Sequence, residues 1–282
     1  MLECVVNLSE GRDAAVLDAL KQAAGPSCVD VHSDAVHNRS VFTMVDGDTA
    51  ILEAAVRALA AVAVERLDIR SHQGVHPRLG VVDVVPFVPL GPPVAGGPLV
   101  PPVGPHALDE AIAARDRFVT WLAALGVPCF AYGPERTLPE VRRRAFRDLD
   151  PTAGPREPHV SAGACCVGAR PVLVAYNVVI DASVERARAI AAEIRSASLR
   201  VLGLDLGDST SQVSFNLVTP FDAGPTEAYD LVADRARVVR AELVGLLPLG
   251  VLERAPEDRW AELKLSRSTT IEARLRQTGE RA

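Results

Sequence analysis

Two histidines and an arginine stand within seven residues of one another in Arg70-Ser71-His72-Gln73-Gly74-Val75-His76-Pro77-Arg78-Leu79-Gly80. Pro77 stiffens this backbone and the flanking glycines let it turn tightly. A histidine fixed there can accept a proton and return it near neutral pH. Arg78 could hold a carboxylate in a bidentate fork. The alternative for His72 and His76 is plain loop hydrogen bonding. The His-x3-His spacing also occurs in zinc sites, but on helices, which Gly74 and Pro77 oppose.

A second constellation is Asp30-Val31-His32-Ser33-Asp34-Ala35-Val36-His37-Asn38-Arg39. Arg39 is another candidate for an anion, against a bland reading as a surface partner of Asp34. His32, with His72 and His76, could also be the metal set of a hydrolase. The third is Gly154-Pro155-Arg156-Glu157-Pro158-His159-Val160-Ser161-Ala162-Gly163, whose glycines allow a flat ligand close to the main chain. The bland reading is an interdomain linker, since it precedes the second repeat, and the two readings are not exclusive. Arg142-Arg143-Arg144-Ala145-Phe146-Arg147 suits either a small anion or the solvated face of a helix.

The elements that must position these groups follow an internal repeat. Strands are expected at Glu3–Asn7, Cys28–Val31, Ser40–Val45 and Val81–Val88, with helices Ala14–Ala23 and Thr49–Arg66 between them, and a loop at His32–His37. The order is βαββαβ. It returns as strand Val172–Asn177, helix Val184–Ile194, strands Arg200–Leu204 and Gln212–Leu217, helix Glu227–Val238 and strand Glu242–Leu247. Val5-Val6-Asn7 and Ala175-Tyr176-Asn177 precede the first helix of each half. Between the halves come a loop Gly91–Pro105, a helix Ala107–Leu125, a strand Val127–Tyr132 and an arginine-bearing helix Leu138–Leu149. The tail beyond Ser266 is charged and expected to fray. The predicted fold is α/β (α+β): two related βαββαβ subdomains, helices outside, sheets facing each other across a ligand cleft.

Composition narrows the function. Of 282 residues 48% are hydrophobic, enough for a core in each half. A net charge of −6 disfavours nucleic acid as the partner. No apolar stretch approaches a membrane span, and the N-terminus lacks a signal-peptide pattern. Five cysteines, two of them adjacent (Cys165-Cys166), fit a reducing compartment, and so a cytoplasmic protein, better than a disulfide framework. Alternation along a strand would bury one of that pair.

Taken together, several segments resemble the glutamate formiminotransferase (formimidoyltransferase) family. They are Glu3-Cys4-Val5-Val6-Asn7-Leu8-Ser9-Glu10-Gly11-Arg12, His37-Asn38-Arg39-Ser40-Val41, His72 to Gly80, Asp83-Val84-Val85-Pro86-Phe87, Gly163-Ala164, Gly168-Ala169-Arg170 and Val244-Gly245-Leu246-Leu247-Pro248. The resemblance spans nearly the whole chain, without a cyclodeaminase domain. It implies an N-terminal subdomain over residues 1–169 and a C-terminal one over 170–282. It implies transfer of a formimino group from N-formimino-L-glutamate to tetrahydrofolate N5, as in histidine degradation. It further implies His76 as general acid/base, Gly154 to Gly163 as the folate loop, tetrahydrofolate as co-substrate, no metal, and a homodimer. Arg39, Arg78 and His32 are the substrate-binding candidates. The chain departs from the family where acids are common: it carries His32, Val75, Ala145 and Arg147, with Arg144 where a glycine is frequent. The alternatives are a non-catalytic folate-binding relative, a transferase using another one-carbon donor, and the metal-dependent hydrolase.

Overall fold

The computed structural model describes residues 1–91, 97–207 and 209–279. The chain divides into two compact units, one holding residues 1–91 and 100–171, the other residues 97–99 and 172–279. Part of the Gly91–Pro105 loop, residues 92–96, lies outside the described residues.

The first unit begins β1 (Leu2–Leu8), α1 (Ala14–Ala24), β2 (Cys28–Asp34), β3 (Arg39–Asp46), α2 (Thr49–Arg66) and β4 (Val82–Pro89). It continues with α3 (Asp109–Ala124), β5 (Cys129–Tyr132), α4 (Leu138–Arg144) and β6 (Cys165–Ala169). Its sheet has the order β2-β3-β1-β4-β6-β5. The first four strands pair antiparallel, and β6 joins both β4 and β5 in parallel. The second unit holds β7 (Val174–Ile180), α5 (Val184–Ile194), β8 (Leu199–Asp205), β9 (Ser211–Leu217), α6 (Pro225–Ala233), β10 (Val238–Val244), α7 (Leu249–Leu252) and α8 (Ile271–Gly279). Its order, β10-β7-β9-β8, is that of β4-β1-β3-β2. The repeat read from hydrophobic periodicity is therefore a repeat of topology. What differs is the insertion, which extends the first sheet beyond β4.

Local chemistry explains the helix starts. Asp13 and Asp48 accept the first free N–H groups of α1 and α2. Helix α2 then buries Leu52, Val56, Leu59, Ala60 and Ala63, one stripe at helical spacing. Thr137 and Glu140 form a reciprocal capping box on α4.

Several expectations need correction. Strand β2 continues through His32 to Asp34, so His32 sits on a strand and faces Val41 across the ladder. The Ser33–Ser40 hydroxyl pair (2.8 Å) ties that extension down, and the Asp34 carboxylate caps the turn at the His37 N–H (2.8 Å). Helix α4 stops at Arg144, because Phe146 takes a left-handed φ of 59°. Helix α6 stops at Ala233, and β10 begins at Val238. Cys165 and Cys166 are both buried, since this part of the sheet is covered on both faces. Cys165 meets the core under α1–α3, and Cys166 meets a smaller cluster with Val84, Phe130 and Val141 of α4. The tail does not fray over its described part. Glu272 of α8 is buried and accepts the Leu99 and Leu249 N–H groups, each at 2.8 Å.

Candidate functional site

The segment between α2 and β4 carries His72, His76 and Arg78 and has no regular structure of its own. It is held by neighbours at both ends. The Ile69 N–H donates to the Ser161 carbonyl (2.8 Å), the Val81 N–H to that of Ala162 (2.9 Å), and the Ala164 N–H to that of Leu79 (3.0 Å). Gly80 and Gly163 make the contact possible. A Cβ on Gly163 would stand 2.3 Å from the Leu79 carbonyl oxygen and 2.8 Å from the Gly80 Cα. The His76 segment and the end of the Gly154–Gly163 loop are thus brought together through two residues without side chains.

Arg78 and His72 hold the segment from inside. Arg78 donates to His72 Nδ1, to the Gly74 carbonyl and, through Nε (3.2 Å) and Nη2 (2.8 Å), to the His76 carbonyl. His72 Nε2–H donates to the Asn38 carbonyl (2.7 Å). Both ring nitrogens of His72 are therefore engaged. Burial, then the neighbouring Arg78 charge, lowers its pKa. The carboxylate fork expected of Arg78 is spent on its own loop. Gly74 packs against the His37 carbonyl, and Asn38 binds the Gly11 N–H (2.9 Å) and the Gln73 carbonyl (3.1 Å). Three loops are fastened at this one turn.

His76 is placed differently. Its Nδ1 lies 2.8 Å from the Pro77 carbonyl, which can only accept, so Nδ1 carries the proton. Nε2 has no hydrogen-bond partner among the described residues. The His37 ring stands edge-on to it, with centroids 6.1 Å apart. Burial, reinforced by the Arg39 charge, pushes the His76 pKa down to about 3. The imidazole is neutral at physiological pH, with a lone pair on Nε2.

Arg39 does not pair with Asp34. It donates through Nη1 to Asp83 Oδ2 (2.7 Å), and through Nε (3.2 Å) and Nη2 (2.9 Å) to the Asn7 amide oxygen. Asp83 is wholly buried. Arg142, from α4, reaches the same Oδ2 at 2.7 Å, and the Leu79 N–H binds Oδ1 at 2.8 Å. Burial alone would raise the Asp83 pKa; Arg39 and Arg142 outweigh it and hold the carboxylate well below the usual range.

Sequence reasoning did not single out Asp83 or Asn7, and it weighed Arg142 only as one member of a basic run suited to a small anion or a solvated helix face. A signal for Asp83 existed: an acid within Val81-Val82-Asp83-Val84-Val85 must find cations if it is buried charged. Of the remaining arginines of that run, Arg144 pairs with Asp148 (2.9 Å), and Arg143 and Arg147 are exposed.

In the Gly154–Gly163 loop, residues 154–158 are exposed and Arg156 pairs with Asp150 (3.2 Å). The loop closes in a tight turn, with His159 and Gly163 exchanging both backbone hydrogen bonds (2.8 and 2.9 Å) and Val160 exposed at its tip. His32 is half-buried on β2. Among the described residues no three of His, Cys, Asp and Glu are grouped to hold a metal ion, and no helix is long and apolar enough to cross a membrane.

A family model described as the formiminotransferase domain, N-terminal subdomain, matches residues 1–170. A glutamate formimidoyltransferase of Streptococcus pyogenes serotype M1 is 34% identical over 283 residues, covering 89% of this chain and 90% of its own. One from Thermoplasma acidophilum is 32% identical over 88% of both chains. The formimidoyltransferase-cyclodeaminase of Rattus norvegicus is 32% identical over 89% of this chain; the chain spans about half of that longer protein (51%). The matched segment contains every residue of the loop cluster built around His76, and the chain belongs to the formiminotransferase family.

Proposed function

We infer that this protein transfers a formimino group from N-formimidoyl-L-glutamate to N5 of tetrahydrofolate. The likeness to formimidoyltransferases of similar length, over about nine-tenths of the chain, carries the reading. The state of His76 supplies the chemistry. The N5 lone pair attacks the formimino carbon and forms the new C–N bond. The N5 proton passes to His76 Nε2, the ring nitrogen left open. His76 returns it to the glutamate nitrogen as the old C–N bond breaks. Such proton transfer contributes about 10²–10⁴-fold, and holding both reactants together adds to it.

Residues Gly154 to Gly163 are assigned to the folate. The support is the contact at Gly80 and Gly163, which sets that loop beside the His76 segment. Arg39 is assigned to the anionic side of the site. Arg78 is assigned to holding the loop, on the ground that four of its five N–H groups are already engaged. On the same reading the enzyme is a cytoplasmic homodimer working in histidine degradation.

The test is tetrahydrofolate-dependent consumption of N-formimidoyl-L-glutamate by the intact chain and by His76→Ala. Turnover that falls by about 10²–10⁴-fold in the variant is expected. Consumption that does not need tetrahydrofolate, or is indifferent to His76, would overturn the assignment.

A further inference from the structure

Arg39, Asp83 and Arg142 do not balance. Two guanidiniums meet one carboxylate oxygen, so the group carries one positive charge in excess. Arg39 spends its remaining contacts on Asn7. Arg142 does not. Beyond the bond from Nη2 to Asp83, its Nε and Nη1 have no partner among the described residues, and its side chain keeps 18% of its surface exposed. A guanidinium fixed at one end with N–H groups open at the other is a preorganised receiver for a planar anion. The location is specific. The Leu79 N–H grips the other Asp83 oxygen three residues after His76, and His76 feels the charges of Arg39, Asp83 and Arg142.

We propose that Arg142, oriented by Asp83, receives the α-carboxylate of the donor amino acid. The inference rests on the formimino-transfer reading and deepens it. The nitrogen that His76 must reprotonate is bonded to the Cα that bears this carboxylate. A group binding the carboxylate must therefore stand on the same side of the site as the proton donor, and Arg142 shares Asp83 with the Leu79 N–H, three residues after His76. The acceptor's carboxylates are a poor match, since an aromatic ring separates its tail from the reacting N5. Asp83 is a positioning residue: it touches no substrate and sets the direction of the Arg142 fork. A carboxylate docked there would also cancel the excess positive charge beside His76, making the imidazole a stronger base when the donor is in place.

The experiment compares N-formimidoyl-L-glutamate with N-formimidoyl-4-aminobutyrate, which lacks the α-carboxylate, in the unsubstituted enzyme, Arg142→Met and Arg142→Lys. Arg142→Met is expected to raise the donor KM roughly 10- to 100-fold, the range for a lost charge-assisted hydrogen bond, and to leave the tetrahydrofolate KM unchanged. The analogue is expected to be poor with the unsubstituted enzyme and to lose nothing further in Arg142→Met. Arg142→Lys keeps the charge without the fork, recovers part of the loss, and serves if the methionine variant does not fold. An unchanged donor KM would overturn the proposal. So would an analogue penalty of equal size in both enzymes, or a rise confined to the tetrahydrofolate KM. Failure of the unsubstituted enzyme to use the donor at all would instead remove the transfer reading and this inference with it.

Discussion

Replacing Asp83 by asparagine tests whether the charge cluster is a structural necessity. Asp83 has no exposed surface, and both arginines bond to a single oxygen. Asparagine keeps the volume and one acceptor, so the Leu79 N–H or one arginine can still be satisfied. What it removes is the only carboxylate bonded to either guanidinium among the described residues. Taking one partner from a buried ion pair typically costs about 3–5 kcal/mol, because the remaining charge stays desolvated and unpaired. That is a large share of the roughly 5–15 kcal/mol that holds an ordinary domain folded. Trp121 lies on α3 in the first unit and Trp260 in the second. A Trp260→Phe background therefore lets Trp121 fluorescence follow urea unfolding of the first unit alone. A loss of about 3–5 kcal/mol is expected from the midpoint shift. A decisive companion is the triple replacement Arg39→Met, Asp83→Leu, Arg142→Met, which removes all three charges. It is expected to be less harmful than Asp83→Asn by itself. A triple variant at least as unstable as the single one would refute the reasoning, since packing rather than unpaired charge would then set the cost.

Two further outcomes follow from the geometry. The folded chain protonates His76 only near pH 3, whereas the unfolded chain does so near 6.5. Between those values the unfolded state binds more protons, so stability falls as pH drops from about 6.5 toward 3. Asp83, whose folded pKa is depressed, adds a separate loss on acidification below about pH 4. Melting temperatures of His76→Ala between pH 7 and pH 4.5 should fall less steeply than those of the unsubstituted chain; equal slopes would contradict the assignment. In the second unit, Glu272→Ala leaves the buried N–H groups of Leu99 and Leu249 without acceptors. A loss of about 1–3 kcal/mol per orphaned group is expected in urea unfolding followed at Trp260, against almost none if the tail frays.

The secondary structure was legible wherever burial has a period. Helix α2 was read with the bounds it has, because its apolar stripe and the Asp48 cap agree. The errors fall where a tertiary contact overrides the local pattern. Arg142 to Arg147 look alike in sequence, but only Arg142 turns inward to Asp83, and the helix stops at Arg144. The tail looked solvated because its charges are many; one of them, Glu272, is buried and binds two backbone groups. Adjacent cysteines are read as one in, one out only where a sheet has a single covered face. Helix α4 covers the other face beside β6.

The same logic separates the visible half of the site from the hidden half. The tight, fixed loop that carries His76 was legible because Pro77 and the glycines lie within a dozen residues of sequence; the acid/base role proposed for His76 comes from the family resemblance. The neighbours of His76 are not local. Asn7, Arg39, Asp83 and Arg142 come from β1, β3, β4 and α4, and the two ion pairs span 44 and 59 residues. Periodicity cannot report such pairs. A carboxylate inside an apolar strand can report that a cation is needed, though not which of the arginines supplies it. The structure answers with two, both on one oxygen. One of them satisfies Asp83; the second leaves positive charge over beside the histidine. Both lower the Asp83 pKa, yet one carboxylate can neutralise only one of them; on the proposal made above, the charge left over is what an anionic donor would meet.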